Sequence, residues 1–288
     1  MLELQRWKDK RGLDFHFAPR HVPFNGRLSD GAVIAALEAG HDPDRFLTAL
    51  FAPPERREAL FVLYAFNNEL ARARAVASEP MLGLIRLQWW REVVEGTARR
   101  HEVATPLAAE LHAGRLPRAA LLAMIAGREA EADPSIPTLA AWLAYLDATA
   151  GALAEAAGFA LAGPDAPAER LHALGVAYGV AGQLRNVAAL ARQGRCLLPE
   201  EVLAAHGTSI HAITAGRDEV PLRAAIAALA MEGQARLRAA GGRLPRAVLA
   251  AALPAVLARR DLRHPGQTSP RGLGDRLAVL AAAVLGRV

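Results

Sequence analysis

Apolar residues recur along most of the chain with the spacing of amphipathic helices. From Asp42 onward, prolines and glycines divide the sequence into alanine- and leucine-rich segments of roughly 12 to 25 residues, which is typical of helical bundles with short connections. The dividing positions are Pro53, Pro54, Pro80, Gly96, Pro117, residues 134–137, 163–167 and 194–199, Gly241 and Gly242. The pattern therefore predicts a helical bundle.

Two of the predicted helices have clear ends. Residues 54–77 begin with proline, which suits a first helical turn, and acidic residues follow where the helix dipole favours anions. A second helix runs through Trp89 and Trp90 and ends at Gly96, a residue type that commonly terminates helices. Because neighbouring residues on a helix point about 100° apart, we expect one tryptophan in the core and the other at an interface or pocket rim.

Composition supports one helical domain. Hydrophobic residues make up 52% of the 288 residues and aromatic residues only 5%, a mixture that favours helix over sheet and provides a large core. Residues 1–30 mix glycine, proline, histidine and charge without helical periodicity, so we expect an irregular arm there. We predict an all-α, single-domain bundle over residues 31–288, because no linker is long enough to separate two domains.

Charge and cysteine content narrow the possible functions. The net charge of +5 and the pI near 10.1 suit an anionic partner such as a diphosphate or an acidic membrane, although a solvated basic surface is the favoured explanation. Basic residues are dispersed and form no recognition motif, so we expect no nucleic-acid partner. Cys196 is the only cysteine, which excludes an intrachain disulfide.

The apolar runs are too short to span a bilayer. The longest, residues 277–285 and 247–257, fall below the roughly 18 residues that a transmembrane helix needs. The first residues lack the apolar stretch of a secretory signal, so we expect a cytoplasmic protein. Arg271 and Arg276 precede the first of these runs, which leaves open a peripheral contact with the inner membrane.

Two segments carry a resemblance to a known family. Residues 63–74 read LYAFNNELARAR and residues 179–186 read GVAGQLRN, with supporting stretches LQWWRE at 87–92 and GRCLLP at 194–199. These segments resemble motifs of the squalene/phytoene synthase family and together cover residues from about 41 to 210. The resemblance implies a bundle of the isoprenoid (trans-prenyl) synthase type with a central cavity.

The resemblance also locates the acidic motifs of the family. Its catalytic members ionise prenyl diphosphates with magnesium ions held by aspartates on facing helices. In this chain the corresponding positions are occupied by Ala71, Arg72, Ala75, Leu190 and Gly194. None of these side chains binds a metal, so the resemblance implies no catalytic residue, no metal site and no cofactor. Magnesium would be needed only if displaced carboxylates sustain catalysis.

Several polar residues in these segments are candidates to line a vestigial cavity. They are Tyr64, Asn67, Asn68, Arg72, Arg86, Gln183 and Asn186. The simpler alternatives are that Arg72 is a surface arginine and that the amides bond to neighbouring helix ends or to each other. If the cavity remains, a guanidinium at Arg72 could bind an anionic ligand directly. Gly175, Gly179 and Gly182 indicate close helix packing or a ligand near the backbone, and packing is favoured.

The chain resembles one subgroup of the family in particular. The AFNNELA segment at 65–71, the serine and glutamate at 78–79, Gly83 and the RLQWW run at 86–90 resemble the mitochondrial respiratory complex I assembly factor 6 and its bacterial relatives. This resemblance implies a non-catalytic role in assembling or supporting the membrane respiratory chain, through contacts with respiratory-chain proteins or membrane lipids.

Two alternatives stay open at the level of sequence. One is an active head-to-head prenyltransferase with displaced metal ligands, which requires at least two inward pairs of carboxylates. The other is a peripheral membrane module that binds an isoprenoid or an anionic ligand, which an exposed apolar face beside arginines would favour.

Overall fold

A computed structural model describes residues 40, 42–75, 77, 79–217 and 219–288. Its regular elements are helices, accompanied within these residues by two isolated β-bridges and no strand. The prediction of an all-α bundle is confirmed. The predicted irregular arm at residues 1–30 lies outside the described residues.

The α-helices follow one another with short connections. In chain order they are α1 Pro43–Ala49, α2 Pro54–Ala75, α3 Pro80–Glu95, α4 Ala104–His112, α5 Arg118–Glu129, α6 Leu139–Leu146, α7 Ala152–Ala162, α8 Ala168–Ala191, α9 Glu200–Ala205, α10 Ile210–Thr214, α11 Glu219–Ala240, α12 Leu249–Ala252, α13 Pro254–Asp261 and α14 Leu273–Leu285. A π-helical turn, Asp147–Gly151, joins α6 to α7.

Prolines and glycines set the helix boundaries much as the sequence predicts. Helix α2 begins at Pro54 and ends at Ala75, two residues before its predicted end. Helix α3 begins at Pro80, and Gly96 terminates it in the left-handed conformation at φ 115°. The Gly96 N–H donates to carbonyls of the last turn, which satisfies groups that a helix end leaves unpaired.

Helix α8 lies at the centre and packs against α7, α11, α13 and the π-helical turn. Two of its glycines allow this approach. A Cβ at Gly179 would lie 2.6 Å from the Cβ of Ala150, and one at Gly175 would overlap the Ala150 carbonyl oxygen. A Cβ at Gly182 would have no neighbouring side chain within 4 Å, so close packing accounts for only two of the three glycines.

One apolar core unites the helices. Trp142, Tyr64 and Phe66 are among its largest fully buried side chains. Trp90 belongs to this core, whereas Trp89 is partly buried at its edge, as predicted for adjacent tryptophans. Within the described ranges, no helix has both the length and the apolarity to cross a membrane.

Candidate functional site

A small cavity lies between α2, α8 and the turn around Pro254. Its polar lining consists of Tyr64 from α2, Tyr178 from α8 and Arg45 from α1. The cavity volume is about 10 Å³, which is room for roughly one water molecule. The Arg45 guanidinium carbon lies 4.8 Å from the centre of the Tyr178 ring and 5.8 Å from that of Tyr64, within the range of cation–π attraction.

Arg45 is held in place by the residue that starts its helix. The Asp42 side chain accepts a hydrogen bond from the Arg45 backbone N–H at 2.9 Å and another from its guanidinium at 2.7 Å. Burial opposes the charged form of Arg45, but the Asp42 carboxylate, Tyr178 and Tyr64 together outweigh that effect and raise the pKa of Arg45. The cavity therefore has a permanent cation at its wall.

An ion network closes one side of the same region. Arg271 donates from Nε to Asp44 at 2.9 Å and from two other nitrogens to Asp261 at 2.7 and 2.9 Å. Arg185 of α8 donates to Asp261 at 3.1 Å. The Tyr178 hydroxyl donates to Asp44 at 3.3 Å, which connects the network to the cavity wall. Burial raises the pKa of Tyr178, so the hydroxyl stays protonated.

A second polar cluster lies between α5, α6 and α8. Glu131 is buried and accepts hydrogen bonds from Arg128 at 2.6 Å and from the Tyr145 hydroxyl at 2.8 Å. Gln183 donates to the same hydroxyl at 3.3 Å, while its own buried carbonyl oxygen has no hydrogen-bond partner among the described residues. Arg195 lies 3.7 Å from Glu131. Burial, followed by the charge of Glu131, raises the pKa of Tyr145 above its usual range although Arg128 opposes this.

The structure separates the sequence-predicted site residues into two groups. Tyr64 lines the cavity, Gln183 belongs to the buried polar cluster, and Asn67 is buried on α2. Arg72 is exposed and pairs with Glu69 at 3.3 Å, and Asn186 is exposed on α8.

Asn68 and Arg86 are half-buried and fall in neither group. Burial and the nearby Arg72 lower the pKa of Arg86, while Glu69 opposes this shift. The candidates therefore do not converge on one pocket.

Apolar or small residues occupy most positions of the expected metal motifs. Ala71 and Ala75 lie on α2, and Leu190 packs against the core from α8. Gly194 lies in the turn after α8 at φ 71°. In the described part of the chain, no group of three or more histidine, cysteine, aspartate or glutamate side chains could hold a metal ion.

Sequence reasoning missed the ion network around the cavity. Asp44 and Arg271 are separated by 227 positions, and Arg185 and Asp261 by 76. Such pairs have no local spacing signal. The sequence does carry a signal for the contact between Asp42 and Arg45 at the cavity wall. Asp42 directly precedes a helix that begins with proline, and Arg45 follows three residues later, as in an N-capped first turn.

The fold places the molecule among the all-helical isoprenoid synthases. It superposes on the squalene synthase HpnC from Alicyclobacillus acidocaldarius with a TM-score of 0.62 at 21% identity, covering 89% of this chain and 94% of that one. It superposes on a dehydrosqualene synthase with a TM-score of 0.71 at 16% identity, covering 89% and 95%. The sequence profile described as squalene/phytoene synthase matches residues 39–269. The chain belongs to the squalene/phytoene synthase family.

Several relatives of this chain are named as assembly factors and not as synthases. The human protein named NADH dehydrogenase (ubiquinone) complex I, assembly factor 6 is 39% identical over 70 residues, or 24% of this chain and 21% of that protein. The mouse protein of that name is 27% identical over 222 residues, or 75% and 66%. The Drosophila melanogaster homolog is 27% identical over 183 residues, or 59% and 54%. The matches thus span from about a fifth to about two thirds of these relatives.

Proposed function

We propose that the chain is a non-catalytic member of its family that supports the assembly of NADH dehydrogenase (ubiquinone) complex I. One observation carries the non-catalytic half of this proposal. Arginines neutralise the carboxylates beside the Tyr64 and Tyr178 cavity, while the motif positions hold Ala71, Arg72, Ala75, Leu190 and Gly194.

The bonding of these carboxylates argues against a magnesium clamp. Asp42 is bonded to Arg45, and Asp44 and Asp261 share Arg271. Magnesium needs near-octahedral oxygen ligands with free lone pairs. A tethered guanidinium satisfies those oxygens and adds positive charge that repels a metal cation. Displaced ligands taken from Asp42, Asp44 or Asp261 would therefore have to be released from arginine partners.

The size of the cavity supports the same conclusion. Sites that enclose a small organic ligand usually have volumes of roughly 300–1,000 Å³. The cavity bounded by Arg45, Tyr64 and Tyr178 is about 10 Å³. A prenyl chain would enter only if the surrounding helices moved apart. A binding role for an isoprenoid or an anionic ligand therefore receives less support than contacts at the surface.

The names of the relatives support the assembly half of the proposal. Mouse, human and fruit fly proteins that match this chain are named as complex I assembly factors. By this reasoning the partners are respiratory-chain proteins, and the site of action is cytoplasmic and peripheral to the inner membrane.

Deleting the gene in its host tests the assembly role. We expect less assembled complex I and slower NADH oxidation by membranes, with both restored by the wild-type gene. Succinate oxidation serves as the control, because it bypasses complex I and should not change. Unchanged amounts of complex I in the deletion strain would contradict the proposal.

A second candidate is a prenyl-diphosphate transferase with displaced metal ligands. The retained Gln183, whose buried carbonyl oxygen has no partner among the described residues, and the retained Tyr64 favour it. If its ligands came from Asp42, Asp44 or Asp261, magnesium would have to displace arginine from them. Magnesium-dependent release of diphosphate distinguishes this candidate from the first.

A further inference from the structure

Helix α14 carries an apolar stripe that none of the described helices covers. Leu273, Leu277, Leu280 and Val284 are 73%, 54%, 47% and 66% exposed. Their spacing of four, three and four residues places them on one side of the helix, and it is the spacing by which helices pack side by side. The opposite side of α14 packs on α13 and on the core through Val279. The stripe therefore has room for one more helix.

Specific bonds hold α14 in this orientation. Asp275 accepts a hydrogen bond from the Gly272 backbone N–H at 2.9 Å and one from Arg260 of α13 at 2.6 Å. After the helix, Gly242 and Val288 exchange two backbone hydrogen bonds at 2.7 and 3.1 Å. Both ends are fastened to the bundle, so a helix that packs on the stripe would find it preformed.

The described chain begins beside the first turn of α14. Its first residue is Gly40, and Asp44 follows four positions later. The Asp44 carboxylate lies 2.8 Å from a guanidinium nitrogen of Arg271. Arg271 directly precedes Gly272, the residue at which α14 is capped. The 39 residues before Gly40 therefore join the described structure next to the N-terminal end of the stripe.

The last part of this preceding segment has an apolar pattern that fits the stripe. Residues 28–39, which lie outside the described residues, read LSDGAVIAALEA. On a helix, Val33, Ile34 and Leu37 would fall on one side. Twelve helical residues extend about 18 Å and the 13 residues of α14 about 20 Å, so the two lengths match.

The point of attachment also fixes the direction of the segment and the placement of its charge. A helix that runs back from Gly40 along the stripe is antiparallel to α14. Leu37 is then level with the first two leucines of the stripe, and Glu38 lies at the same end as Arg276. Arg276 is exposed and has no carboxylate within 4.0 Å among the described residues. The segment carries two acidic residues and no basic one, so its charge complements that of the stripe.

We propose that residues 28–39 pack as a helix on the α14 stripe of the same chain, antiparallel to α14. Val33, Ile34 and Leu37 contact the stripe, and Glu38 pairs with Arg276 at its edge. A short tether presents the segment at an effective concentration on the order of millimolar, which favours it over a second copy of the chain in dilute solution. The segment thereby covers a surface that would otherwise be open to other molecules.

The inference goes beyond the assembly role and does not depend on it. A gene deletion reports on the amount of complex I, whereas the packing of residues 28–39 is a property of the isolated chain. Either result can fail while the other stands.

Hydrogen exchange of the purified full chain, measured by mass spectrometry, tests the proposal. We expect the amides of residues 28–39 to exchange at least about tenfold more slowly than those of a synthetic peptide with the same sequence. The double variant Leu277→Glu with Leu280→Glu should lose this protection, because it places carboxylates in the apolar contact and near Glu38.

A reciprocal variant tests the same contact from its other side. Val33→Glu with Leu37→Glu should accelerate exchange of the α14 amides, since the two surfaces stabilise each other by the same free energy. If the α14 variant does not fold, this variant decides the question by itself.

A matched double variant controls for general loss of apolar surface. Val220→Glu with Met231→Glu alters two side chains on α11 that are also well exposed, at 68% and 62%. We expect residues 28–39 to stay protected in this variant, and circular dichroism checks that all variants are folded. No protection of residues 28–39 in the wild type, or equal protection in the α14 variant, would overturn the proposal. A wild-type dimer that the α14 variant dissociates, with residues 28–39 unprotected, would instead identify a second copy as the occupant.

Discussion

At the scale of single residues, arginines pair with the carboxylates beside the cavity. Arg271 bonds to Asp44 and Asp261 at once, and Arg45 bonds to Asp42 while facing two tyrosine rings. The absence of acidic residues at the expected motif positions is an expectation from the sequence alone, because those motifs have fixed spacing. The arginines that hold the remaining carboxylates could not be predicted, because the network joins segments far apart in the chain.

Replacing Arg271 by methionine tests how much this network contributes to stability. Asp44 would lose its guanidinium, and Asp261 would keep only Arg185. Because both carboxylates are largely buried, we expect Arg271→Met to lower the free energy of unfolding by about 2–3 kcal/mol. Urea unfolding followed by circular dichroism measures the change.

The control for this prediction is Arg276→Met. Arg276 is exposed and has no carboxylate within 4.0 Å among the described residues, so its replacement should change the stability by less than about 0.5 kcal/mol. Similar effects of the two substitutions would show that the network adds no specific stability.

At the scale of elements, the helix boundaries could be predicted from the sequence, whereas the contacts between helices could not. Proline and glycine marked the ends of α2 and α3 because these residues act on the local backbone. The spacing of Gly175, Gly179 and Gly182 indicated close packing for all three. The π-helical turn fills the space opposite Gly175 and Gly179 but not the space opposite Gly182. No local sequence pattern predicts that turn.

Alanine substitutions on α8 test this difference. A methyl group at Gly175 would meet the Ala150 backbone and the Cβ of Ala154 at 2.5 Å, whereas one at Gly182 would enter open space. We expect Gly175→Ala to lower the unfolding free energy by about 1–3 kcal/mol through overpacking. Gly182→Ala should raise it by about 0.5–1 kcal/mol, because alanine favours helix over glycine.

Thermal and urea unfolding of the two α8 variants measure these changes. The opposite signs make each substitution the control for the other, since both replace glycine by alanine within one helix. Destabilisation by Gly182→Ala as large as that by Gly175→Ala would contradict the packing described for the π-helical turn.

At the scale of the whole molecule, the family and its architecture followed from two motif segments, and the chain superposes on synthases of that family over 89% of its length. The small size of the cavity beside Arg45, Tyr64 and Tyr178 did not follow from the sequence. It depends on how Arg45, Tyr64 and Tyr178 pack together from three separate helices. The fold was thus predictable from sequence, whereas the packing around this cavity was not.

The central claim is that this fold no longer performs metal-dependent prenyl chemistry. The most direct test is release of diphosphate from farnesyl or geranylgeranyl diphosphate by the purified chain with magnesium, beside a squalene synthase and a Tyr64→Ala variant of this chain. We expect no release above that of the variant, because the expected motif positions hold no carboxylate and arginines pair with the carboxylates beside the cavity. Magnesium-dependent release by the wild type that the Tyr64→Ala variant lacks would contradict the claim.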